Sequence, residues 1–130
     1  MTSAEGALRA RALDLLARDD ALTGMVHGIF DGTPPRASAP YVTVGAAEGS
    51  DWGAKDRAGR EVRLTLALVG VGGAGDDAAA ARIEAVVTAM RGPAGAWSVV
   101  GARTIRTRFT LVRDGGWRHE MIVRCRCLAA

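Results

Sequence analysis

Apolar positions along this chain change their period several times, and each change marks a new element. Leu8, Ala12, Leu15 and Leu16 recur at helical spacing behind Thr2 and Glu5, a capping-box pattern, which predicts a helix over 3–18. Asp19-Asp20 would oppose the dipole at that helix's C-terminus, so they are expected to open the next turn or short helix around Ala21 to Val26. Past Phe30 the run Asp31-Gly32-Thr33-Pro34-Pro35, continuing through Ser38 to Pro40, forbids helix and lacks ladder donors, and reads as an extended connector. From Tyr41 to Ala46 the pattern alternates, with Val42, Val44 and Ala46 on one face. Residues 48–60 (EGSDWGAKDRAGR) are polar and glycine-rich, and Val62, Leu64, Leu66 and Leu68 then repeat with a period of two. Together these predict a β-hairpin with a long tip. Gly70 to Gly75 forms a glycine-rich hinge and Asp76 or Asp77 suits an N-cap. Ala80, Ile83, Val87 and Met90 make a helical stripe that Gly92-Pro93 stops.

The C-terminal part reads as strands: a short edge segment at 97–100, then longer strands at about 103–113 and 117–128. A two-residue turn at Asp114-Gly115 would set Leu111 opposite Arg118 and Phe109 opposite Glu120, mixing apolar and charged groups on one face. A three-residue loop, Asp114 to Gly116, opposes Phe109 with Met121, Thr107 with Val123 and Ile105 with Cys125, and is preferred. The other face then carries Arg106 across from Arg124, flanked by Arg108, Arg118 and Arg126.

A length of 130 residues suits one domain over 1–130, and 48% hydrophobic with 24% charged residues is ordinary globular composition. No apolar run is long enough for a membrane span, and Glu5, Arg9 and Arg11 interrupt any signal-peptide core, so a cytoplasmic protein is expected. The net charge of +3 conceals a division: residues 1–90 hold nine basic and twelve acidic groups, whereas 91–130 hold eight arginines against Asp114 and Glu120. Only Lys55 is a lysine, which points as readily to a GC-rich coding genome as to selected chemistry.

Little suggests catalysis. Cys125 and Cys127, two apart on a strand, point the same apolar way with no second ligand pair, which favours core thiols over a metal or redox site. The Gly70–Gly75 run lacks a P-loop lysine and follows a hairpin strand, so it reads as a connector and not a phosphate cradle. No serine sits in a nucleophile elbow, and neither His27 nor His119 has a recognisable acid partner nearby in sequence. No enzyme activity, cofactor or metal is expected. Two features remain open. Trp52, in the polar tip with Asp51, Lys55 and Arg57, either folds back onto its own domain or anchors a partner. The face bearing Arg106, Arg108, Arg124 and Arg126 is either solvated or meets anions or acidic groups of a neighbour, since like charges directly opposite destabilise a sheet.

The order of these features resembles the tail-completion, or tail-terminator, family of long-tailed phages, also found in prophages and gene transfer agents. The resemblance is carried by Ile29-Phe30-Asp31, the proline-bearing loop, Pro40-Tyr41-Val42-Thr43-Val44-Gly45, the charged tip, the amphipathic strand, the glycine-rich gap and the Ala/Ile/Val helix. Where that pattern usually has a tryptophan late in the strand after the tip, this chain has Leu68-Val69-Gly70. The resemblance implies an α+β domain: an antiparallel sheet of about four to five strands, two main helices on one face and one long hairpin loop. It further implies a ring, expected to be a hexamer, that caps the tail tube and joins it to the head connector or stopper, with DNA passing through the lumen without sequence-specific binding. Such a protein would assemble in the bacterial cytoplasm and end in the virion. On this reading the arginine face lies at a subunit interface or lumen, with Asp14, Asp19, Asp20 or Glu84 of a neighbour as expected partners, and Trp52 anchors a tip that is mobile until it meets the tube or a neighbour. Other head-to-tail connector components, and a small DNA-binding protein, are the rival readings.

Overall fold

The computed structural model describes residues 2–130. Helix α1 (Ala4–Arg18) starts one residue later than the capping box implies: Ser3 Oγ accepts the Gly6 N–H, while the Glu5 carboxylate faces Arg60 at 3.4 Å. Its buried stripe is Ala4, Ala7, Leu8, Ala12 and Leu16. Asp19 opens the short helix α2 (Asp20–Thr23) by accepting the Leu22 N–H, as its dipole-opposing position suggested. The same carboxylate accepts from Arg82 Nε at 2.8 Å, and that hydrogen bond holds its pKa down to about 2. Arg82 belongs to α3 (Asp77–Thr88), capped by Asp76, whose stripe Ala79, Ala80, Ile83 and Val87 is buried. The pair ties α3 to the α1–α2 corner.

Six strands form one sheet in the order β1-β2-β3-β6-β5-β4, more than the four to five expected. Two short edge strands account for the difference. β1 (Ile29–Asp31) pairs in parallel with Val42–Val44, and β4 (Gly92–Ala94) pairs with Trp97–Val99. Each spans three residues, too few for a periodic signal; β1 ends at Asp31, where the expected connector begins, and β4 lies on the Gly92-Pro93 helix stop. The other four strands, β2 (Tyr41–Asp51), β3 (Gly59–Val71), β5 (Trp97–Leu111) and β6 (Gly116–Ala129), pair with one another in antiparallel sense.

β3 is the middle of the core. Val62, Leu64, Leu66 and Leu68 are all buried, as their alternation predicts, and they face Cys125, Val123 and Met121 of β6. α1 and α3 cover this side, with Leu8, Leu16, Ile83 and Met90 fully buried between layers. On β2 a bulge between Val44 and Ala47 shifts parity, so Ala47 takes the inward place opposite Leu64, and Ala46, expected inward, is exposed. The hairpin is also longer in its strands than its polarity suggests: pairing continues from Glu48↔Arg63 to Asp51↔Arg60, leaving only 52–58 as the tip. Main-chain pairing needs no apolar side chains where both faces are wet, which is why the polar run concealed it.

Gly70 has a packing reason. A Cβ there would lie 2.1 Å from the Trp117 indole, which crosses from β6 and donates its Nε1–H to the Gly72 carbonyl. The strand that lacks the expected tryptophan thus receives one from its neighbour.

Candidate assembly surface

Because both long helices pack on one side, the other side of the β2-β3-β6-β5 sheet is free of helices. Register places Glu61, Arg63, Arg118, Glu120, Ile122, Arg124 and Arg126 there, together with Arg103, Arg106 and Arg108 of β5. The expected pairing across β5 and β6 needs correction. Phe109 lies opposite His119, Thr107 opposite Met121, and Arg106 opposite Ile122; the residue facing Arg124 is Arg103. Two causes combine. The connection runs over Val112–Gly116 through a 3-10 turn with Asp114 at φ 61°, longer than the three-residue loop and moving the register by two without changing faces. Past it, a bulge at Ile105 inserts one residue, leaving Ile105 38% exposed instead of opposite Cys125, and bringing Arg103 onto the face of Arg106 and Arg108.

The arginines divide by partner. Arg126 Nε donates to Glu61 at 3.1 Å, Arg63 approaches the other Glu61 oxygen at 3.9 Å, and Arg118 lies 3.6 Å from Glu120. Arg103, Arg106, Arg108 and Arg124 make no ion pair among the described residues. Of the neighbour carboxylates expected to meet this face, Asp14 is already paired with Arg18 and Asp19 with Arg82 of the same chain.

At one end the hairpin tip turns onto this face. Trp52 N–H donates to the Gly59 carbonyl, Ala54 and Arg57 exchange main-chain bonds, and Asp51 Oδ1 accepts the Gly53 N–H, so the tip is a hydrogen-bonded turn where a loop without fixed contacts was expected. Arg57 Nε donates to the Ala129 carbonyl at 3.0 Å, fastening the tip to the end of β6, while Lys55 is exposed at the apex. The Trp52 ring lies beneath the Arg126 guanidinium at 5.4 Å and stays 37% exposed. Two features that the sequence treated separately, the tryptophan tip and the arginine face, are therefore continuous. Sequence reasoning missed a third: Val71, Phe109, Leu111 and Val112 form an exposed apolar end of the sheet beside Trp117. Their alternation marked a strand, but burial could not be read from it.

Among the described residues no group of histidine, cysteine and carboxylate side chains could hold a metal. Cys125 and Cys127 lie inside the core, and burial, aided by the neighbouring thiol, pushes Cys125 up to about 12. The native protein should therefore react with a thiol reagent at pH 8 only as fast as it unfolds, which a comparison with the denatured chain checks. The sign of the pH effect follows: the folded pKa is raised above 9.0, so the unfolded chain releases this proton first, and stability falls as pH climbs from about 9 to about 12. The slope should be about 1.4 kcal/mol per pH unit for this thiol; Cys127, also raised by burial, adds in the same sense, so the slope should be smaller but not absent in Cys125→Ala.

A sequence profile described as Tail completion protein gp17 matches residues 10–129. The chain belongs to that family. Its shape agrees: a chain from a solved structure titled "Virion of native gene transfer agent (GTA) particle" superposes with a TM-score of 0.83 at 24% identity, over 98% of this chain and 100% of that one. At that identity the likeness shows a shared fold. No curated protein matches the sequence. Among the described residues no helix is long and apolar enough to cross a membrane.

Proposed function

We propose that this chain is a structural virion protein, a tail terminator that closes into a ring at the head-proximal end of a tail tube in a phage or gene transfer agent and joins the tube to a head connector or stopper. The family match over residues 10–129 carries this reading. Support comes from the fold shared with a chain of a gene transfer agent virion and from a helix-free sheet face on which Arg103, Arg106, Arg108 and Arg124 make no ion pair among the described residues. The ring is a hexamer, assembled in the bacterial cytoplasm, with DNA passing through its lumen. A conduit should not grip DNA, because each neutralised phosphate adds affinity that impedes passage. Light scattering on the concentrated protein should give a mass several times 13.5 kDa. A chain that stays monomeric at high concentration and does not bind tube protein overturns the assignment. Tight DNA binding by the monomer that falls steeply with salt, and that disappears in Arg106→Gln with Arg124→Gln, favours the DNA-binding alternative.

A further inference from the structure

Both edges of the sheet are covered only in part, and the uncovered runs are staggered: across β3 and β6, Asp51 is level with Val99 and Val44 with Thr107, so the runs meet between copies whose strands tilt against the ring axis. On one side β1 pairs with Val42–Val44 and the Arg9 guanidinium donates to the Val44 and Gly45 carbonyls, so β2 has no neighbour from Ala46 to Asp51. On the other, β4 pairs with β5 only from Trp97 to Val99, leaving β5 open from Val100 to Leu111. Each open edge carries bulges and then a regular run: Ala47–Asp51 on β2 and Arg106–Leu111 on β5. The β2 run bears Glu48 on the helix-free face, opposite Arg63, and Asp51 on the other face, opposite Arg60, both exposed and without ion pairs among the described residues; the β5 run begins with Arg106 and Arg108 on the helix-free face, equally exposed and unpaired.

From these we propose that the occupant of the open β5 edge is the open β2 edge of a second copy of this chain, so that the ring is closed by a sheet running from subunit to subunit. The proposal rests on the ring reading and assigns its contact surface. Strand direction supports it. β2, β3, β6 and β5 alternate, so β5 runs opposite to β2. Rotation about a ring axis preserves direction along that axis, and β5 of one copy therefore meets β2 of the next in antiparallel sense, the better-bonded ladder. Two β5 edges facing each other would oppose like charges, and bulged, charged edges resist indiscriminate pairing. The basic edge thus selects the acidic one, a head-to-tail contact that repeats around a ring, and it covers Phe109 and Leu111, which are 43% and 73% exposed in the single chain.

Reversing charge on one edge at a time tests this. Arg106→Glu with Arg108→Glu makes both edges acidic; Glu48→Arg with Asp51→Arg makes both basic. Each variant alone should run at monomer mass in conditions where the wild type assembles, and an equimolar mixture should recover the ring, because unlike variants then alternate and satisfy both contacts. A chain carrying all four substitutions should also assemble. Thermal melts within a few degrees of wild type establish that the exposed substitutions leave folding intact. A wild-type ring that either variant forms unaided, or that the mixture and the fourfold chain fail to recover, overturns edge pairing while the ring itself stands. A wild-type chain that never assembles removes the ring and this contact together.

Discussion

Leu66→Ala should cost about 2–5 kcal/mol of folding free energy, a large share of the roughly 5–15 kcal/mol typical of a domain. Leu66 is 1% exposed at the centre of β3, with Val44 on one side and Met121 on the other, and strands on both flanks prevent the site from collapsing around the cavity. Arg63→Ala, on the same strand but the opposite face, should change stability by no more than about 0.5 kcal/mol, because its side chain is exposed and its approach to Glu61 is long. Denaturant melts of both variants read the difference directly. Equal losses would mean that the helix-free face is as tightly packed as the core, and the assignment of the two faces would then be wrong.

The contrast between those two positions also marks what the sequence could disclose. Val62, Leu64, Leu66 and Leu68 announced their own face because burial on one side of a strand leaves a period-two record, and Ala80, Ile83 and Val87 did the same for α3. A bulge leaves no such record. The extra residues after Val44, at Val100 and at Ile105 each invert the parity beyond them, so strict alternation points Ala46 and Ile105 inward and does not group Arg103 with Arg106 and Arg108. The loop between β5 and β6 was harder still, since a shift of two conserves faces and all hydrophobic patterning is blind to it. The grouping of Arg106, Arg108, Arg124 and Arg126 on one face survived that shift, whereas the partners assigned to them did not.

The same blindness applies to the hairpin tip, where composition proposed a loop and could not indicate where its tryptophan would rest. Trp52 now has a contact, the Arg126 guanidinium, and Arg126 is itself held by Glu61. A cation–π contact at an exposed site contributes about 0.5–1 kcal/mol, so Trp52→Ala should lower the melting temperature by only a few degrees. If the tip anchors a tail-tube subunit or a neighbouring copy, the same truncation should cost about 2 kcal/mol or more in binding, roughly a 30-fold loss of affinity, because a large aromatic poised on a rigid platform loses little entropy when it is covered. Arg126→Lys separates the two contributions: it keeps the charge and removes the planar group over the ring, and should weaken the tip while leaving the indole free to bind. Stability and partner affinity measured on the same preparations decide the matter. A fall in stability as large as the one expected for Leu66→Ala, with unchanged partner affinity, would assign Trp52 to packing within its own chain.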